Sequence, residues 1–212
     1  MKPRIMSRIA RSLIPSIVLF VTATAPAAIV FDTLSMTPTG ANYFKGPTGM
    51  LPYAELGFLF HVSATSDFQL DSLSFSFNTT ANTAAPMELA AFSVGSGTPQ
   101  GTLLATFSGP LSPVSIIGTY TPDAPLTLAA DTDVFFRFKV ANPGGLYRVD
   151  NTSDTLPTSD WSFVQTYIGN IVGDWTPNLN APVMQIAATA VPEPGSASLL
   201  GAAALVSLRR RR

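Results

Sequence analysis

Between residues 56 and 189 the chain sets short apolar runs against clusters of Gly, Pro, Asn, Asp, Ser and Thr. The repeat within the runs is two residues. Asp133–Val140 is the clearest case: Val134, Phe136, Phe138 and Val140 fall on one side, Arg137 and Lys139 on the other. That is a strand with one face in a core and one toward water. The run Leu56-Gly57-Phe58-Leu59-Phe60-His61-Val62 is almost wholly apolar and reads as a buried strand, with His61 an ordinary strand histidine. Residues 68–77 alternate too, but their phase changes at Ser72-Leu73, which predicts a bulge or a bend between two faces. Further strands are predicted over residues 87–94, 102–107, 115–121, 125–128, 145–149, 162–168 and 183–189, with a turn-rich Gly95-Ser96-Gly97-Thr98-Pro99-Gln100-Gly101 among them. Strands about ten residues apart with turn signals between them predict an antiparallel β-sandwich or jelly roll. No capped helical period of useful length interrupts them. The expected fold class is therefore all-β, flanked by an N-terminal signal helix and a short C-terminal apolar helix.

The two ends follow other rules. Lys2, Arg4, Arg8 and Arg11 precede a mostly apolar stretch over residues 13–21 and a small, polar stretch over 22–28. This is the order of a signal peptide. The expected cut follows Ala25-Pro26-Ala27, with a cut after Ala28 as the alternative. At the other end, Val191-Pro192-Glu193-Pro194 is followed by an apolar run over 197–208 and by Arg209, Arg210, Arg211 and Arg212. The prolines hold the motif extended and accessible. The run is 12 residues long. As a helix it would reach about 18 Å at ~1.5 Å per residue, against a bilayer core of ~30 Å. Flanking arginines stay on the cytoplasmic side. Such a tail suits a temporary halt in the membrane with the main domain outside.

The tail resembles the PEP-CTERM sorting signal of Gram-negative, exopolysaccharide-producing bacteria, through Val191-Pro192-Glu193-Pro194, Leu199-Leu200-Gly201, Ala203, Leu205, Leu208 and the four terminal arginines. The resemblance implies recognition by exosortase, a membrane transpeptidase-like protease, with cleavage near the Pro-Glu-Pro motif. The middle is similar to the bacterial surface domains called choice-of-anchor, R type, through Phe68-x-Leu70-Asp71-Ser72-Leu73, Gly97-x-Pro99-x-Gly101-x-Leu103 and Leu126-x-Leu128 leading into residues 131–140. That similarity implies a β-sandwich carried to the cell surface.

Charge then changes the picture. Eight of the 12 Lys and Arg lie in the two ends, leaving Lys45, Arg137, Lys139 and Arg148; of 13 acids, all but Glu193 remain, so the body over 28–190 carries 4 − 12 = −8. Nothing there neutralises phosphates, so nucleic-acid binding is excluded as an expectation. Acidity with few lysines suits an exported domain. Cysteine is absent, so the fold must rest on its core, and neither a thiol nucleophile nor a thiolate metal site exists.

Candidate chemistry is sparse, and no cofactor is expected. Asp131-Thr132-Asp133 and Asp150-Asn151-Thr152-Ser153-Asp154 are acid clusters, and Asp150 and Asp154 are the calcium candidates. Turn-forming Asp and Asn explain both clusters adequately without a metal. Gly95-Ser96-Gly97 is not a serine elbow, and a catalytic triad would have to recruit His61 from a strand. A hydrolase would need two carboxylates facing each other across a cleft. Sugar binding is the sharper alternative, with Tyr147, Trp161, Tyr167 and Trp175 as stacking candidates set against ordinary core packing. The expectation is a non-enzymatic, exported envelope or matrix protein with domains at 1–27 (signal), 28–190 (β domain) and 191–212 (sorting tail). Its expected partners are the secretion translocon, signal peptidase, exosortase, the inner membrane in passing, and exopolysaccharide.

Overall fold

The structure, a computed structural model, describes residues 26–46, 55–63, 65–78, 86–110, 117–140, 145–169, 174–178 and 180–192. Residues 24–194 form one compact unit. The signal segment through Ala25, and Glu193, Pro194 and the four terminal arginines of the tail, lie outside the described residues, as do the helices expected at both ends.

The described chain is all-β. Its strands are β1 (Ala28–Asp32), β2 (Gly40–Lys45), β3 (Glu55–His61), β4 (Phe68–Ser76), β5 (Met87–Ser93), β6 (Leu103–Ser108), β7 (Ile117–Pro122), β8 (Leu126–Leu128), β9 (Asp133–Val140), β10 (Leu146–Thr152), β11 (Ser162–Gly169), β12 (Trp175–Asn178), β13 (Ala181–Pro182) and β14 (Met184–Ala190). Every pairing between them is antiparallel. One ladder runs β1-β14-β4-β7-β6-β5-β9-β3-β11-β12, with β8 on β4, and a second runs β13-β10-β2. Among the described residues no helix is long and apolar enough to cross a membrane.

The long ladder curls. Side chains of β4, β7 and β14 meet those of β3, β5 and β9 in one core that includes Phe58, Phe60, Leu73, Phe75, Tyr120, Phe136, Phe138 and Ile186. Aromatic edges carry the contact: Phe75 meets Phe138 at 4.8 Å and 74°, and Phe58 lies stacked 5.7 Å from Phe75. The inward half of the β9 alternation comes out as predicted, with Val134, Phe136, Phe138 and Val140 in this core; the other face does not turn to water as expected, because Phe135 is buried in a second cluster and Arg137 lies over the Phe92 ring.

The phase change in β4 is a bulge. Ala187 pairs with Ser72 and Ala188 with Leu70, so Asp71 is the extra residue. One inserted residue reverses the facing of everything beyond it. Phe68 and Leu70 before it, and Leu73 and Phe75 after it, therefore all reach the core. Asp71 accepts from Thr189 Oγ1 at 2.8 Å and is held outward. The turn-rich stretch at 95–101 closes β5 onto β6, with Gly101 N donating to Ser93 O at 2.7 Å and Gly97 at φ 84°, a conformation that favours glycine.

Strands β1, β2, β12 and β13 carry too short or too mixed a pattern to be predicted from periodicity. β10 is longer than expected. It continues through Asp150, Asn151 and Thr152, so the second acid cluster begins in a strand rather than in a turn.

Candidate functional site

The four aromatic candidates divide into two pairs. Tyr147 and Trp161 are 0% exposed. Tyr147 stacks on Phe44 at 5.5 Å and 22°, and Trp161 sets its edge against Phe68 at 6.0 Å. This corrects the expectation for both: neither ring has a face to offer a sugar, because each fills the core. Trp161 reaches it from the end of the 155–160 loop, whose polar composition gave no sign of an inward turn.

Tyr167 and Trp175 come together on the outer face of β5, β9, β3, β11 and β12. There Leu59, Ala90, Phe92 and Phe135 form a second buried cluster, with Tyr167 and Trp175 packed half-buried against it. Phe135 stands nearly perpendicular to Trp175 at 4.9 Å and to Tyr167 at 6.0 Å. Two glycines make the arrangement fit. A Cβ on Gly57 would lie 2.0 Å from Phe135 Cζ, and one on Gly169 would lie 2.7 Å from Trp175 Cζ3. The rings therefore press on the backbone where the side chain is missing.

Beside this cluster the Arg137 guanidinium sits 4.7 Å from the centre of the Phe92 ring, a cation–π contact. Its Nη1 lies 3.8 Å from Glu55 Oε2. Burial raises the Glu55 carboxyl above its ordinary pKa, while Arg137 and Lys139 pull it down and Glu88 pushes it up. Arg137 Nε is buried without a hydrogen-bond partner.

A third feature was not foreseen. Over the outer face of the β2–β10 ladder lies a concavity of about 530 Å³ lined by Thr39, Ala41, Tyr43, Asn78, Arg148 and Asp150, among others. The register sets Arg148 opposite Tyr43 and Asp150 opposite Ala41. Tyr43 is 49% exposed. Asp150 is 8% exposed, and its Oδ2 accepts from Ser76 Oγ at 2.6 Å. The residues just past β4 close the far side, with Asn78 N donating to Arg148 O at 2.9 Å. The signal that could have located Tyr43 is the alternation Asn42-Tyr43-Phe44-Lys45, in which Phe44 faces the core and Tyr43 faces away.

The acidic residues are spread. Asp154 lies beyond β10, its amide donating to Thr152 Oγ1 at 3.1 Å. Among the described residues no group of three or more His, Cys, Asp or Glu could hold a metal ion. His61 ends β3 as expected of a strand histidine. Its Nδ1 is 2.8 Å from Asp133 and its Nε2 is 3.4 Å from Asp131, a residue held at φ 57°. Of the residues expected to be processed, Ala27 precedes β1, Ala28 begins it, and Val191 and Pro192 follow the end of β14. No protein-family model matches the chain, and no curated protein matches it.

Proposed function

We propose that the chain is an exported envelope or extracellular-matrix protein of a Gram-negative bacterium, sorted by a PEP-CTERM/exosortase system and structural or adhesive in role alongside exopolysaccharide. The observation that carries this reading is the order of elements in the tail: Val191-Pro192-Glu193-Pro194, an apolar run, then four arginines. The geometry of the body supports it. β1 starts at Ala28, directly after the expected Ala25-Pro26-Ala27 cut. Beyond β14, Val191 N donates to Asp67 O at 2.8 Å, and the Pro-Glu-Pro motif follows at once in the sequence. Ala28 lies opposite Ala188, and both processing points therefore adjoin one end of one ladder. Proteases need extended backbone, and Pro192 and Pro194 disfavour helix across this motif.

In this reading the two halves of the curled ladder are the two sheets of a β-sandwich or jelly roll. The meeting of β4, β7 and β14 with β3, β5 and β9 across a single aromatic core supports that class. A second reading, a carbohydrate-binding module in the same place, is favoured by the half-exposed Tyr43 ring standing opposite Arg148 at the β2–β10 concavity.

The test is processing in the native host. Replacing Pro192, Glu193 and Pro194 together with alanine leaves the chain at its uncut mass in the membrane fraction. Maturation at the normal size would end the sorting proposal.

A further inference from the structure

The concavity over β2 and β10 differs from the aromatic patch around Phe135 in what its side chains are free to do. Around Phe135 the rings pack on one another and on the backbone of Gly57 and Gly169, so most of their surface is spent on the fold. Over β2 and β10, Tyr43 is half exposed on a strand whose next residue, Phe44, is wholly buried. The backbone anchors the phenol and leaves a ring face to solvent. Directly across the ladder stands Arg148. Among the described residues its guanidinium has no hydrogen-bond or ion-pair partner, so five donors in a planar fork remain uncommitted. On the same face Asp150 is nearly buried and fixed by Ser76 through one oxygen, and a carboxylate so held keeps further acceptor capacity.

An aromatic face, a free donor fork and a fixed acceptor around a concavity of about 530 Å³ make a polar site within the usual size range for a small ligand. A pyranose ring fits each part. Its C–H face covers the phenol, and its vicinal hydroxyls accept from arginine and donate to aspartate. The net charge of the site decides between sugar classes. Arg148 and Asp150 cancel, and the surrounding body carries 4 − 12 = −8, so an anionic uronate would be repelled on approach. We infer that Tyr43, Arg148 and Asp150 form a binding site for a neutral hexopyranose unit of a polysaccharide. The inference rests on the reading that this domain works among polysaccharides; the residues and the ligand class are its addition.

The experiment is calorimetric titration of the full chain in detergent with cellohexaose, mannohexaose and galactohexaose, and with oligogalacturonate as the acidic probe. Tyr43→Ala, Tyr43→Phe, Arg148→Gln and Trp175→Ala are compared, each checked for an unchanged strand spectrum by circular dichroism. The expected result is binding of at least one neutral hexaose, weakened about tenfold or more by Tyr43→Ala and by Arg148→Gln, as loss of a charge-assisted hydrogen bond or its stacking platform implies. Tyr43→Phe, which keeps the ring, binds within about threefold, an energy difference below one ordinary hydrogen bond. Trp175→Ala binds as the parent does. Neutral binding lost with Trp175 and indifferent to Tyr43 would overturn this site while leaving a carbohydrate-binding role standing. Binding of oligogalacturonate alone would overturn the neutral class. No binding of any probe would overturn the site and the carbohydrate reading together, leaving the sorting proposal to its own test.

Discussion

Gly57 shows how far one residue can be read before the fold is known. In sequence it is a gap in an apolar strand, and its neighbours Leu56 and Phe58 announce a core. Its own role, to let Phe135 lie against the β3 backbone, depends on the β9 strand across from it. Gly57→Ala forces that ring to move, and overpacking of this kind costs about 1–3 kcal/mol. Urea unfolding of the two proteins should show a loss of that size, and equal midpoints would mean that the Phe135 ring is free to shift. Glu55 stands at the foot of the same strand. Because burial raises its folded-state pKa, its protonated form favours the native state. That contribution is complete below the ordinary glutamate value of about 4.3 and fades as pH rises through the raised one. Glu55→Gln should remove this part of the stability–pH curve, and the Glu55 carboxyl resonance should titrate above the usual glutamate range.

At the scale of elements, the long ladder depends on a narrow link. β6 meets β7 through Phe107 with Pro122 and Ser108 with Thr121. Asp123, just past β7, reinforces it: Oδ1 accepts from Ser108 at 2.6 Å, Oδ2 accepts from Thr106, and its amide donates to Thr106 O at 2.9 Å. The hydroxyls of Ser108 and then Thr106 hold its carboxyl below the ordinary pKa. A lowered folded value means stability present above the unfolded aspartate value of about 3.9 and lost as pH falls through the folded one. Asp123→Asn should therefore flatten the acid limb of the unfolding curve, with hydrogen exchange rising first at β6 and β7; an unaltered acid limb would show that the link does not rely on this carboxylate. The bulge of β4 is the opposite case, legible beforehand because an apolar pattern that changes phase needs an extra residue to keep one face inward. The length of β10 was not legible, since Asp150 and Asn151 favour turns and only β2 and β13 alongside turn them into ladder positions.

For the whole molecule, the compact unit spans residues 24–194 and, among the described residues, its last backbone link is made by Val191. Removing residues 193–212 should leave the thermal midpoint of the body within about 2 °C, less than a loss of ~1 kcal/mol produces in a domain of this size. A larger fall, read by circular dichroism, would show that the tail is part of the fold rather than a label on it. The sequence by itself determined that the body is all-β, that Val134, Phe136, Phe138 and Val140 share a buried face, and that β4 breaks phase. These follow from the two-residue pleat, a property of a strand and its own neighbours in the chain. Only the tertiary structure decided which strands pair, and with that the fate of each aromatic ring. In sequence Tyr147 and Trp161 are set among polar and apolar neighbours much as Tyr167 and Trp175 are, and Tyr43 lies in a short, mixed stretch. Exposure depends on what the rest of the chain lays across a ring, and residues more than a hundred positions apart, such as Tyr43 and Arg148, meet only when the ladder is assembled.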